Sequence, residues 1–234
     1  MNSLILDLIK CKCEVLTDGN SHKYYIILAG PAKGVLYITE NSPDYISGQV
    51  RMRGRDSGRY PYNYQEMIDH IFGPDEKTIE ACSGNVKKRT WISNTAISSL
   101  KANDSSLSSI LNLPSSLTSP FTVDIDPHLN PDYVADAQTL DGIPNGVFSR
   151  WRCDPPYNAK TAKEMYGTDL PNPSRLLKAG ARVCMIDSLM FLLLGPQNYQ
   201  IHPKGVRRIG YIDITVVPNN EIRCLNIYYK FADI

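Results

Sequence analysis

A chain of 234 residues with 42% hydrophobic content can bury a full core, as one large domain or as one domain with a small attachment. Its net charge of +1 excludes a globally basic nucleic-acid binder, so contact with nucleic acid has to come from local patches. Six cysteines, single apart from Cys11 and Cys13, suggest neither a zinc site nor a disulfide framework and read as reduced intracellular thiols.

In chain order, the apolar start from Leu4 to Ile9 is too short to span a bilayer and lacks a basic n-region and a cleavage site. The expectation is a cytoplasmic protein with no membrane partner. Residues 1–72 read as a small, β-rich N-terminal accessory region. Tyr24 to Ala29 and Gly34 to Thr39 are β-branched or aromatic runs around Gly30-Pro31-Ala32-Lys33, which is hairpin chemistry, and a further short strand is expected from Gly48 to Met52. Arg51, Arg53, Arg55 and Arg59, followed by Tyr60, Tyr62 and Tyr64, have the mix of charge and rings that follows a phosphate backbone and stacks bases; a solvated loop is the alternative. Met67, Ile68, Ile71 and Phe72 fall at helical spacing, and Gly73-Pro74 ends that helix.

Residues 73–234 read as one α/β domain. Lys77 to Asn85 is a short strand that runs through Glu80, Ala81, Cys82 and Ser83 into Gly84, small residues against which a cofactor can lie close to the backbone. A mononucleotide-binding half places its ribose-binding acid about 20 residues beyond such a turn, and Asp124 falls much further on. The interval 86–120, with the basic run Lys87-Lys88-Arg89-Thr90-Trp91 and ten serines between Ser93 and Ser119, reads as a helix plus an inserted loop, or as surface linker. Phe121 to Pro127 is again a strand with a terminal acid, Asp124 or Asp126, and Val134-Ala135-Asp136-Ala137-Gln138 follows closely. Such acids are otherwise helix caps or solvated turns.

Arg150-Trp151-Arg152-Cys153-Asp154-Pro155-Pro156-Tyr157-Asn158 is the stretch around which the chain is organised. Two prolines stop the strand, and Ala159 to Met165 opens a helix behind them. Asp154, two carbonyls and the Tyr157 ring are thereby aimed at one place, outside the carboxyl end of a strand. An exocyclic amino group is a poor nucleophile because its lone pair is delocalised. Acceptors aimed at its hydrogens, the Asp154 carboxylate and the Pro155 carbonyl, draw it towards a reactive tetrahedral form. Tyr157 would stack on the base for roughly 1–3 kcal/mol. A proline-stiffened loop with an incidental tyrosine is the alternative.

The rest fits the second half of one sheet. Asn172 caps a helix with Pro173 at its first position, and Leu176, Leu177 and Val183 face inward. Leu189 to Leu194 is the apolar run of a buried parallel strand, expected from Ser188 to Gly195. Ile209 to Val217 and Glu221 to Phe231 form an antiparallel pair across Pro218-Asn219-Asn220. Lys204, Arg207 and Arg208 precede that hairpin on a loop expected at the same edge as Asp154, to hold phosphates or simply to be solvated.

The turn Asp154-Pro155-Pro156-Tyr157 resembles the Asp-Pro-Pro-Tyr motif of S-adenosylmethionine-dependent amino-methyltransferases, which act on adenine N6 or cytosine N4 in DNA and on related groups in RNA. The resemblance spans about residues 77–231. It implies a Rossmann-like class I fold with a mostly parallel sheet closed by a C-terminal antiparallel hairpin, and S-adenosyl-L-methionine as cofactor. It also implies roles. Glu80, Ala81, Cys82, Ser83 and Gly84 stand for the cofactor-binding glycine turn, although only one of its glycines remains. Asp124 or Asp126 would accept from the ribose hydroxyls, and Asp136 with Ala137 would meet the adenine. Asp154, Pro155, Pro156 and Tyr157 would be catalytic, with Asn158, Lys204, Arg207 and Arg208 towards a DNA or RNA substrate. Where the family often has Pro-Gly-Gly, this chain has Met185-Ile186-Asp187-Ser188. No metal is implied, and a protein partner or homodimer is left open. Two other functions remain: methylation of a protein glutamine amide, or a non-catalytic methyltransferase-fold module that binds nucleic acid.

Overall fold

The computed structural model describes residues 4–17, 19, 23–27, 35–39, 42–54, 60–61, 64–75, 77–84, 120–156, 158–167 and 169–234. The chain is α/β, parallel-stranded through one of two compact units and carrying an antiparallel hairpin near its C-terminus. The first unit comprises Met1–Pro74, Leu194–Tyr199 and Arg208–Tyr228, and the second Asp75–Leu193, Gln200–Arg207 and Tyr229–Ile234. The N-terminal region thus shares a unit with most of the hairpin, a grouping that the expected boundary at residue 72 does not contain. No helix among the described residues is long and apolar enough to cross a membrane.

The first unit holds helix α1 (Leu4–Leu8) and strands β1 (Glu14–Thr17), β2 (Lys23–Ile26), β3 (Val35–Thr39) and β4 (Ser42–Arg53). Helix α2 (Tyr64–Phe72) and most of β10 (Val206–Val217) and β11 (Glu221–Lys230) complete it. β1 to β4 pair antiparallel in sequence order, and β10 pairs parallel with β4, from Gly210 opposite Ile46 to Val217 opposite Arg53. Helix α2 buries Met67, Ile68, Ile71 and Phe72, as their spacing predicts. Two of the three tyrosines weighed for stacking on bases are core residues instead. Tyr60 and Tyr64 are buried and stack on each other, with centroids 4.4 Å apart and planes 7° from parallel. Arg51 and Arg53 lie exposed on β4, where Arg51 donates to the Asn220 side chain at 3.4 Å. Arg55, Arg59, Tyr62 and the hairpin turn at residues 30–33 lie outside the described residues, as does the stretch 85–119.

The second unit is built on β5 (Thr78–Ala81), β6 (Phe121–Asp124), β7 (Tyr133–Val134), β8 (Phe148–Cys153) and β9 (Cys184–Leu194), in spatial order β7-β6-β5-β8-β9. Every pairing among them is parallel. The chain starts at β5, moves outward to β6 and β7, then returns to β8 on the other side of β5. Helices α3 (Ala159–Tyr166) and α4 (Pro173–Val183) connect β8 to β9. Asn172 caps α4 by accepting from the Ser174 amide, with Pro173 in the first turn, and Leu176, Leu177 and Val183 are buried.

Register places Ile79, Ala81, Phe121, Val123, Trp151, Cys153, Met190 and Leu192 on one face of this sheet. That face is apolar, and α4 packs on it at Gly180, where a Cβ would come within 2.6 Å of the Trp151 ring. The opposite face alternates with it and carries Thr78, Glu80, Thr122, Asp124, Arg150 and Arg152, all buried. The Arg152 Nε lies 3.2 Å from Glu80 Oε2, and the Arg150 guanidinium sits 5.8 Å from the centre of the Phe191 ring. A strand of alternating arginines therefore runs through the middle of a parallel sheet, held by charge pairing and ring contact rather than by apolar packing.

Two boundaries differ from expectation. β9 begins at Cys184, not Ser188, because its register slips against β8 while the chain advances from Cys184 to Leu189. Met185-Ile186-Asp187-Ser188 is absorbed in that irregularity, with Asp187 at a φ of 67° and its carboxylate accepting from the Tyr229 hydroxyl. β10 begins at Val206, which puts Arg207 and Arg208 in a strand rather than on a loop.

Candidate functional site

In a parallel sheet wound outward in both directions, ligands sit beyond the carboxyl ends of the strands where the order reverses. Here that point lies between β5 and β8. The residues just past the strand ends converge there: Cys82 after β5, Asp124 and Ile125 at the end of β6, Asp136, Ala137 and Gln138 after β7, and Pro156 after β8. With Pro171 they line a cleft with about 500 Å³ of empty space, partly open to solvent. The glycine turn and the proline pair, expected at one edge of the sheet, lie at the same edge on neighbouring strands.

Asp124 joins the first two strands of the site. Its Oδ2 accepts the Gly84 amide at 2.8 Å and its Oδ1 accepts the Asp126 amide at 3.1 Å. Gly84 can present that amide because its φ of 52° suits glycine. Burial raises the Asp124 carboxyl above its ordinary value, and the amides of Asp126, Gly84 and Ile125 pull it back. An ionised carboxylate has about four acceptor positions, so these amides still leave capacity for a hydroxyl donor in the cleft. Ser83 extends the β5 ladder by donating to the Val123 carbonyl at 3.0 Å.

The loop after β7 is braced from a distance. Asp136 folds it by accepting the Gln138 amide at 2.8 Å, while its carbonyl accepts from Thr139 and Leu140. Gln138 Oε1 accepts the Asn172 amide at 2.9 Å, tying the loop to the start of α4. Arg182, in the last turn of α4, donates to the Thr139, Leu140 and Ile143 carbonyls and to the Asn145 side chain. Four charge-assisted bonds from one guanidinium fix the segment that presents Asp136, Ala137 and Gln138.

Beyond β8, Asp154 is half-buried, Pro155 buried and Pro156 half-buried against the cleft. Tyr157 lies outside the described residues. The site thus unites Cys82, Asp124, Asp136, Ala137 and Pro156 as expected, and adds Ile125, Gln138 and Pro171, which sequence reasoning passed over. Pro171 showed only as the stop before α4. Arg182 gave no signal at all, since a basic residue in a last helical turn is commonplace.

Several expected site residues are engaged elsewhere. Glu80 is buried on the polar face of the sheet and paired with Arg152, away from the cleft lining. Asp126 lies past the end of β6 and caps the 3-10 turn Pro127–Leu129 by accepting the His128 amide at 2.9 Å, so it is not a second acid on the strand face. Asn158 caps α3, its Oδ1 accepting the Lys160 amide at 2.9 Å.

Lys204 and Arg207 are at the wrong end of the sheet for Asp154. The Gly205 carbonyl accepts from Phe231 and Ala232, and the preceding Lys230 donates through Nζ to the Cys184 carbonyl, at the start of β9. Asp154 follows the opposite end, where Cys153 faces Leu192. Arg208 is held between Tyr45 and Tyr211, 5.4 and 5.2 Å from their ring centres, and donates to Tyr45 Oη and Asn226 Oδ1. No protein-family model matches the chain, and no curated protein is significantly similar to it in sequence.

Proposed function

We propose that the chain is a class I, Rossmann-like methyltransferase that uses S-adenosyl-L-methionine to methylate an exocyclic amino group of a nucleobase in DNA or RNA. The observation that carries the reading is convergence. Four segments singled out in the sequence, the turn at Gly84, Asp124, Asp136 and the Asp154-Pro155-Pro156 turn, meet at one edge of a sheet ordered β7-β6-β5-β8-β9. A sheet that starts centrally and reverses beside that turn is the arrangement such an enzyme needs.

The cleft suits the cofactor in chemistry as well as in place. Asp124 retains acceptor capacity for ribose hydroxyls, and Ile125, Ala137, Pro156 and Pro171 offer apolar walls to a flat ring. When bound, S-adenosylmethionine supplies an electrophilic sulfonium methyl. The protein's own work is positioning and electrostatics. The Asp154 carboxylate and the Pro155 carbonyl accept the two amino hydrogens of the target, which localises its lone pair and stabilises the charge that develops on nitrogen. A base in a duplex has to be turned out of the stack to reach them.

A second reading has the same chemistry on a protein glutamine amide, as Asp-Pro-Pro-Tyr-like sites also do. Among the described residues it is favoured by the placement of Lys204 and Arg207 at the far end of the sheet and by the burial of Tyr60 and Tyr64, which takes these four side chains out of the expected basic and aromatic rim. Labelled cofactor incubated with DNA, RNA and protein extracts separates the two by which polymer gains tritium. Calorimetry with S-adenosylmethionine and S-adenosylhomocysteine comes first, and absence of binding to the intact protein sinks both and leaves the non-catalytic module.

A further inference from the structure

Ala81, the last residue of β5, lies in register with Cys153, the last of β8. Cys82, the next residue, turns with a φ of 54° and lines the cleft. Its sulfur accepts the Cys153 thiol hydrogen at 3.7 Å. The two differ in access, Cys82 being half-buried and Cys153 fully buried beneath it. Burial, reinforced by Cys82, Asp154 and Glu80, pushes the Cys153 thiol well above its ordinary value. Cys153 therefore keeps its proton and donates it towards Cys82, which leaves the accessible Cys82 sulfur as the one that meets an oxidant first.

We infer that Cys82 and Cys153 are a hydroperoxide-sensitive thiol pair that closes reversibly into a disulfide across the floor of the cleft. The Cys82 thiolate attacks the peroxide oxygen, so that an S–O bond forms, the O–O bond breaks, and the leaving hydroxide takes up a proton as water. Cys153 sulfur then attacks the Cys82 sulfenic acid. The S–S bond forms, the S–O bond breaks, and the released hydroxide takes the Cys153 proton as a second water. Two thiols lose two electrons in all, and one peroxide gains them. A dithiol reverses the step by exchange.

Closure asks the sulfurs to move from 3.7 Å to about 2.05 Å. Cys153 is fixed inside β8, so the movement falls on Cys82, beyond the end of β5. That shift carries the backbone leading to Gly84, whose amide aligns the Asp124 carboxylate. The oxidised cleft consequently holds a nucleoside ligand less well. This last consequence rests on the cofactor reading, whereas the disulfide itself does not.

The test treats the reduced full-length protein with hydrogen peroxide and follows intact mass, non-reduced peptide maps and S-adenosylhomocysteine affinity. The expected result is a loss of about 2 Da, a peptide linking Cys82 to Cys153, recovery with dithiothreitol, and affinity lowered at least about tenfold while oxidised. Cys153→Ser should give no link and leave a sulfenic acid at Cys82 that dimedone traps, and Cys82→Ser should give neither. Both thiols surviving peroxide, or Cys82 linked to another cysteine, overturns the pair. A link that forms without change in affinity overturns its effect on the cleft. A link in a protein that fails to bind the ligand even when reduced removes the cofactor reading and leaves the thiol pair standing.

Discussion

The Gly84 amide lies 2.8 Å from the Asp124 carboxylate, so one charge-assisted hydrogen bond locks the turn after β5 to the end of β6. Asp124→Ala removes that bond, the one from Asp126, and the acceptor offered to ligand hydroxyls. S-adenosylhomocysteine affinity should fall about ten- to hundredfold, the equivalent of losing one or two hydrogen bonds to a charged group. Asp124→Asn keeps one acceptor oxygen and should lose less. Calorimetry on both variants checks the order.

The same carboxyl sets a pH dependence. Burial raises it above the ordinary value of 3.8. The folded protein then holds that proton more tightly than the unfolded chain. Its contribution to stability is present below the ordinary value and is lost as pH rises through the raised one. Asp124→Asn does not titrate. Its urea midpoint should therefore gain on that of the wild type as pH climbs from 3.8, and a difference that stays flat assigns the shift elsewhere. Affinity for a hydroxyl-bearing ligand should run the other way and rise across that window, since hydroxyls bond the ionised form.

Asp154→Ala should separate binding from turnover. Asp154 follows β8, while the acceptors and walls of the cleft come mainly from β6, β7 and their loops. Cofactor affinity should stay within about twofold, and methyl transfer should fall by roughly 10²–10³, as for loss of one preorganised electrostatic partner. Unchanged tritium incorporation by the variant removes Asp154 from the mechanism.

How much of this could be read from the chain depended on whether the signal was local. Thr78–Ala81, Phe121–Asp124 and Phe148–Cys153 are legible because a short strand ends in a turn residue or a proline pair, and α4 because Asn172-Pro173 is a helix start written in two residues. Asp124 and Asp136 enter the site through the family resemblance, supported by their order along the chain. What the chain does not display has a different cause. Glu80 reads as a cofactor-binding acid in sequence, and the Arg152 that pairs with it lies far along the chain. Lys204 and Arg207 read as neighbours of Asp154 because a loop before a hairpin gives no clue to which end of the sheet it returns. Arg182 acts across some forty residues, and no window of sequence contains both ends of its bonds.

Arg182→Met should uncouple that brace while keeping the packed stem. Four hydrogen bonds to residues 139–145 are lost, and the segment carrying Asp136 and Gln138 should exchange its amides faster. Ligand affinity should weaken by about tenfold, with turnover at saturation changed less. Hydrogen exchange confined to residues 135–147 distinguishes this from general loss of fold.

Gly180→Ala tests the apolar face. The new Cβ would stand 2.6 Å from Trp151 Cε2 and 2.7 Å from Cδ2, inside a fully buried ring that cannot swing away. Either α4 or β8 has to move. Overpacking of this kind costs about 1–3 kcal/mol, visible as a lower denaturation midpoint. Since β8 leads straight to Asp154, turnover should fall as well, by more than the unfolded fraction explains.

Glu80 and Arg152 decide whether the acid before the glycine turn is a ligand or a strut. Both are buried, in register on neighbouring strands, and 3.2 Å apart at Nε and Oε2. Removing one partner of a buried pair leaves the other charge in a low-dielectric interior, at a cost of about 3–5 kcal/mol. Arg152→Met should therefore destabilise strongly, and so should Glu80→Gln, which leaves the Arg152 charge behind. The double replacement Glu80→Gln with Arg152→Met removes both charges and should recover part of the loss, because the desolvation of two ions disappears with them. If Glu80 instead held the cofactor, Glu80→Gln would lose S-adenosylhomocysteine affinity at little cost in stability, and the double variant would not recover that affinity. Denaturation midpoints and calorimetry on the three proteins read the two quantities separately, so a strut and a ligand leave different patterns.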